Sequence, residues 1–208
     1  MKNKKEIDEI LDELEALYPD AQCELNYRTP FELLVATMLS AQTTDIKVNQ
    51  VTDKLFDKYQ GPKDFAEAST EELESDIKVI GLYRNKAKNL KKMSEVILRD
   101  YNGIVPNTKE ELVKLAGVGT KTANVVLSNV FDVPAIAVDT HVFRVANRIG
   151  LAQGKDVKIT EEQLRGNIKI DRWSKAHHLL IFHGRRCCKA RKPDCENCKI
   201  NYTCEFYI

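Results

Sequence analysis

Lys121 and Asp139 are the side chains of this 208-residue chain whose neighbours best equip them for chemistry. Lys121 closes the run Leu115-Ala116-Gly117-Val118-Gly119-Thr120. Two glycines in three residues permit backbone angles that side chains forbid, so Gly117-Val118-Gly119 reads as a tight turn between helices. Bare N–H groups beside a helix N-terminus suit an anion such as a phosphate. Lys121 sits in the first turn of the second helix, whose positive end disfavours an ammonium. That points to an amine able to act as a nucleophile. Asp139 follows the apolar run 135–138 and precedes Thr140-His141, an N-cap position for a third helix. The plainer alternative is a simple turn with a solvated lysine, since short motifs often match by chance. The sequence offers no obvious carboxylate pair for two metals, as a hydrolytic nuclease would need. An amine, a carboxylate and a phosphate-gripping turn point instead to chemistry on a deoxyribose.

The second chemical cluster is at the end of the chain. Cys188, Cys195, Cys198 and Cys204 have the spacing C-x6-C-x2-C-x5-C, among Arg185, Arg186, Lys189, Arg191 and Lys192. Four thiolates so close together imply a metal site. Nothing marks the chain as secreted, which argues against disulfides. Spacing alone fits a Cys₄ zinc site and puts zinc ahead, although a cubane iron–sulfur cluster also takes four cysteines. Cys187 lies outside the spacing and reads as a bystander. Cys23 reads as a small buried hydrophobe. His177, His178 and His183 show no metal-ligand partners in the sequence and receive no role.

The elements that must position these groups read as helices. The spacing of Ile7, Ile10, Leu11, Leu14 and Leu17 predicts an amphipathic helix over 5–17. Thr29-Pro30 starts a largely apolar, hence buried, helix that Ser40–Asp45 breaks. A helix over 45–58 turns Ile46, Val51, Leu55 and Phe56 inward. Gly61-Pro62 reads as a loop. Ser69 with Glu72, and Thr108 with Glu111, are capping boxes, the first opening a helix to Ile80 with Gly81 at its C-terminus. A long helix follows over 83–101, stopped by Asn102-Gly103. Further helices are expected near 140–149, from Thr160, and over 172–183, the last ended by Gly184. No alternating strand pattern appears, so the class is all-α.

Net charge is +1 with 43% hydrophobic residues, enough for a core. The charge is uneven: residues 1–20 hold three lysines against seven carboxylates, and 141–208 hold fourteen Lys/Arg against seven acids. Residues 84–92 carry five basic side chains and no acid. Basic patches on a neutral chain fit a protein that meets a polyanion, and also an ordinary solvated helix face. No apolar run approaches the ~18 residues that span a membrane. The polar start is no secretory signal, so an intracellular, cytoplasmic protein is expected.

The wording L-A-G-V-G-T-K-T-A, with V-D-T-H eighteen residues on, resembles the helix–hairpin–helix DNA glycosylases, most closely the endonuclease III family. The resemblance runs from about residue 20 to the end, and the cysteine spacing matches that family's [4Fe–4S] loop at all four positions. It implies two helical lobes with a cleft between them. Residues 22–131 would form a helical barrel carrying the hairpin motif, about 108–130. Residues 1–21 with 132–208 would form the second lobe, ending in the cluster loop 188–204. It further implies removal of oxidised pyrimidines from duplex DNA and strand cleavage, with a monomer as the default. Lys121 would be the nucleophile and Asp139 the stabilising carboxylate. The hairpin residues Gly117, Val118, Gly119 and Thr120 would grip DNA. Gln42 and Leu82, on the patterns S-A-Q and I-G-L-Y, would fill the gap left by an extruded base; taken without the resemblance, they read as a loop hydrogen bond and core packing. His141 would orient the Asp139 turn or contact DNA, or is simply a satisfied structural histidine.

Two departures are visible. Ala116 stands where relatives often have proline, and Thr120 where many have arginine. The second removes a phosphate contact and supplies a helix cap. Two rivals remain: an adenine-mismatch glycosylase, which would lack the lysine, and a non-catalytic DNA-binding hairpin module with a structural metal.

Overall fold

The computed structural model describes residues 1–208, all helix, turn and loop, with no strand. The chain divides into two compact units, Met1–Cys23 with Val133–Ile208, and Glu24–Asp132.

The second unit is built around one buried helix. Helices α1 (Lys4–Leu17) and α2 (Pro30–Leu39) come first in the chain, and α2 belongs here. Thr29 caps α2 and Pro30 supplies its first turn; every residue from Phe31 to Leu39 is buried. A helix apolar all round can only sit inside a protein. Around it in the chain order come α3 (Asp45–Lys58), α4 (Pro62–Glu67), α5 (Thr70–Ile77), α6 (Tyr83–Tyr101), α7 (Lys109–Leu112) and α8 (Thr120–Val130). Phe65 of α4 stacks edge-on to Phe31 at 5.4 Å and tilts against Tyr59 at 4.9 Å. Pro62, read with Gly61 as a loop, instead opens α4, and that aromatic cluster anchors the short helix. Ser69 and Glu72 form the expected capping box, but α5 stops at Ile77. Ile46 is not inward: it is 75% exposed, while Val48, Val51, Leu55 and Phe56 make the buried face of α3.

In the first unit α1 packs against α11 (Trp173–Arg186), α11 against α9 (Thr140–Ile149), and α9 against α10 (Val157–Asn167), around one shared core. Ile7, Ile10, Leu11 and Leu14 are fully buried against Val142, Val145, Ile149, Leu179 and Leu180. Burying each such side chain stabilises the fold by about 1.5–3 kcal/mol. Asp156, not Thr160, opens α10, and Thr160 is buried within it. Gly184 does not end α11. It lies inside the helix, where a Cβ would meet Val145 Cγ2 at 3.0 Å and Arg144 Nη2 at 3.1 Å. Its missing side chain lets α9 and α11 approach. Cys23 is half-buried rather than buried.

The charge patches resolve differently from a simple polyanion face. Asp8 pairs with Lys169 at 2.8 Å and Arg172 at 3.5 Å, Asp12 with Arg172 at 2.7 Å, and Asp20 with Arg186 at 3.1 Å. The acidic start thus neutralises part of the basic end within one unit. In the 84–92 run, Lys86 is buried and Lys91 Nζ donates to Ala66 O and Ala68 O at the end of α4.

Candidate active site and cysteine cluster

The hairpin between α7 and α8 is shaped by buried Leu112, Leu115 and Val118, with Val118 N donating to Leu115 O at 3.1 Å. Gly117 is required twice over. Its φ is +79°, and a Cβ would strike Met38 Sδ at 2.6 Å and Asn89 Cβ at 3.0 Å. Gly119 is different: its φ of −97° is open to any residue, and a Cβ there meets only open space. Gly119 is also the N-cap of α8, so Thr120 is the first helical residue and not the cap. No side chain caps this end. The first N–H groups of α8 therefore face outward without an internal partner, which favours an anion. Lys121 is exposed on that first turn.

Gln42 and Leu82 lie on two adjoining turns of the same unit. Both are exposed, Leu82 by 58%, and both adopt left-handed backbone angles, φ +58° and +59°. Gly81 therefore does not take the left-handed position expected of it; Leu82 does. Neither residue is core.

Asp139 belongs to the other unit. Its Oδ1 accepts from His141 N and Val142 N, both at 2.8 Å, and so caps α9. Oδ2 remains outside the cap. The carboxylate is half-buried at the end of the buried run Ala135–Val138. His141 Nδ1 lies 3.2 Å from Arg144 Nη2. Arginine can only donate, so Nδ1 accepts. Burial, opposed by Asp139, holds the His141 pKa below its ordinary value.

Cys188, Cys195, Cys198 and Cys204 line one pocket at the end of the first unit. The loop is tied by its backbone: Cys198 N donates to Cys195 O at 3.2 Å and Cys204 N to Asn201 O at 3.2 Å. Arg148 clamps it. Its guanidinium reaches Lys189 O at 2.8 Å, Ala190 O at 3.2 Å and Cys188 Sγ at 3.6 Å, and lies 4.4 Å over the Phe206 ring. A donor aimed at sulfur stabilises a thiolate. Four thiols lining one pocket are a donor set that fits a soft metal centre.

One reading of the sequence changes here. Beside the Cys198 thiol, Cys187 and His183 offer ligand atoms that lie, with it, within 4.8 Å of one another. His183 consequently does have potential ligand partners. It is buried, with Nδ1 3.1 Å from Tyr18 Oη and Nε2 3.7 Å from Cys198 Sγ. Burial pushes its pKa down to about 4. The sequence signal for this pair is the one-turn spacing of His183, in the last turn of α11, and Cys187, its C-cap. Arg144 and Arg148 went unnoticed as well, although they are spaced likewise on α9.

A model of the HhH-GPD superfamily base excision DNA repair proteins matches residues 35–169. Endonuclease III of Bacillus subtilis (strain 168) is 53% identical over 205 residues, covering 98% of this chain and 94% of that protein. The chain belongs to the endonuclease III family. Two solved structures of the family align over 100% of this chain, each with a TM-score of 0.95 and 50% identity. One is a trapped endonuclease III–DNA covalent intermediate with an estranged adenine, of which 98% is covered. The other is a non-covalent endonuclease III–DNA complex, of which 97% is covered. Within this family of helical repair proteins, the chain has no helix long and apolar enough to cross a membrane.

Proposed function

We propose that this endonuclease III family member is a bifunctional DNA glycosylase and abasic-site lyase acting on oxidised pyrimidines in duplex DNA. The observation that carries the reading is the covalent DNA intermediate trapped in a relative 50% identical over the whole chain. A covalent intermediate needs a nucleophile, and Lys121 is an exposed amine on an uncapped helix start that can also hold a phosphate.

In this reading the Lys121 amine attacks C1′ of the extruded nucleoside. The N–C1′ bond forms, the glycosidic bond breaks, and the base leaves with its electron pair and takes up a proton. Ring opening yields a Schiff base. Loss of a C2′ proton then expels the 3′ phosphate by β-elimination. Asp139 holds negative charge where the sugar becomes oxocarbenium-like, and its capped Oδ1 fixes the direction of Oδ2. The hairpin Gly117–Thr120 grips the DNA backbone. Gln42 and Leu82 occupy the gap left by the extruded nucleotide, offsetting an unstacking cost of about a few kcal/mol.

Cys188, Cys195, Cys198 and Cys204 would hold a [4Fe–4S] cluster, which supplies a structural staple for a loop with little core of its own. Residues 22–131 serve as the hairpin-bearing domain and 1–21 with 132–208 as the cluster domain. The protein acts as a monomer on duplex DNA, in the nucleoid-containing cytoplasm.

Borohydride trapping on abasic-site duplex tests the central step. Wild type gives a covalent adduct and Lys121→Ala gives none. Undiminished adduct from Lys121→Ala moves the nucleophile elsewhere, and base release with no adduct from wild type favours a monofunctional glycosylase.

A further inference from the structure

The end of α2 carries a buried cation. Lys86, in the first turns of α6, is only 5% exposed, and its Nζ donates to Leu39 O at 2.9 Å and Ala41 O at 2.6 Å. Leu39 O lies at the negative end of α2, among the carbonyls a helix leaves without partners, and Ala41 O belongs to the turn that follows. Lys86 stands one turn after Leu82, the N-cap of α6, with Lys86 N donating to Leu82 O at 3.1 Å as the first bond of that helix. The Lys86 side chain therefore reaches from the first turn of the helix that Leu82 opens to the carbonyl just before Gln42. The two turns touch: a Cβ on Gly81 would lie 3.8 Å from Gln42 O. Gln42 and Leu82 both hold left-handed angles that are costly for residues with side chains. Such angles persist only where the surroundings enforce them. A buried ammonium is costly too, and burial lowers its pKa. A methionine of similar length would avoid that cost and lose the tie.

We propose that Lys86 is the positioning residue that sets the Gln42 turn against the Leu82 turn, so that both side chains enter a duplex from which one nucleotide has been extruded. The proposal rests on the gap-filling reading of Gln42 and Leu82 above. Lys86 touches neither substrate nor reacting atoms. Its effect is confined to substrates that have a gap to fill: duplex DNA, and not a single strand.

Lys86→Met and Lys86→Gln are compared on two substrates, a duplex with an oxidised pyrimidine and a single-stranded oligonucleotide with a ready-made abasic site. On the duplex, Met loses about tenfold or more and Gln, which keeps a neutral N–H donor group, loses less. Borohydride trapping on the single strand stays at the wild-type yield for both. Fluorescence of 2-aminopurine opposite the lesion shows the gap less well filled in the variants. Equal losses on both substrates, or no loss on the duplex, overturn the proposal. Leu82→Ala and Gln42→Ala, run alongside, lower duplex turnover; if they do not, the gap-filling reading itself fails. The double variant Lys86→Met with Leu82→Ala is no worse than the poorer single, whereas additive losses overturn the link. Should Lys86→Met not fold, amide exchange in Lys86→Gln decides: faster exchange confined to 40–44 and 81–83 supports the proposal, and unchanged exchange there overturns it.

Discussion

Asp139 Oδ1 lies 2.8 Å from the amide nitrogen of Val142, so the carboxylate proposed to face the sugar is also the cap of α9. The two roles separate by substitution. Asparagine caps as well as aspartate but carries no charge, whereas alanine loses both. Asp139→Asn should keep wild-type stability and lose base release by at least about tenfold, if its charge stabilises a developing cation. Asp139→Ala should lose activity and also about 1 kcal/mol of stability. Denaturant midpoints and single-turnover base release check this. An active Asp139→Asn would leave the residue as a cap only.

Gly117 and Gly119 should part company. Gly117→Ala puts a side chain at positive φ and against Met38, which costs about 1–3 kcal/mol in thermal or urea unfolding. Gly119→Ala meets no steric obstacle and should shift stability by less than about 1 kcal/mol. Its added methyl group instead obstructs whatever approaches the open end of α8. Weaker binding to duplex DNA with near-native stability is the expected result; unchanged binding would remove the hairpin from the contact.

Arg148 should govern how firmly the cysteine loop holds its metal. Lysine keeps the charge but cannot span Lys189 O, Ala190 O and the Cys188 sulfur at once. Arg148→Lys should lose absorbance near 400 nm faster than wild type under a chelator. Wild type should carry about four irons per chain. Cys188→Ser should lower iron content, and Cys187→Ser should leave it intact. Iron loss in Cys187→Ser would transfer the ligand role to the thiol beside His183.

Acid stability should depend on His178. Burial, then His177 and Lys175, push its pKa down to about 3. The unfolded chain protonates this histidine near its ordinary value of about 6.5. Above that pH both states are neutral and the group contributes nothing to pH dependence. Below it the unfolded state binds the proton first, so stability falls with falling pH by up to about 1.4 kcal/mol per unit until the folded pKa is reached. Urea unfolding at pH 7 and pH 5 should show a smaller acid loss in His178→Gln than in wild type. An identical loss would exclude His178 as the source.

Some of this molecule is written within a few residues of where it acts. Thr29-Pro30 starts α2, Ser69 and Glu72 box the start of α5, and Asp139 caps α9, because a cap spans three residues and needs nothing from elsewhere. The four cysteines are recognisable for the same reason, since a metal loop is a local spacing. Other features depend on partners far along the chain. Lys86 looks like one member of a basic run until Leu39 O, 47 residues away, is seen beside its ammonium. His183 finds Tyr18 across 165 residues. Gly184 reads as a helix end until Val145 is seen where its side chain would be. Ile46 and Leu82 have apolar side chains and yet face outward.

The sequence alone determined the helical class, the hairpin glycines, the lysine and aspartate in their local settings, and the metal-binding spacing. Each of these is an interaction of a residue with its own segment. Only the tertiary structure decided which charges are buried, which apolar side chains are exposed, and which glycine is sterically required. Those outcomes are set by what packs against a residue, and burial, desolvation and close approach are properties of the assembled neighbourhood.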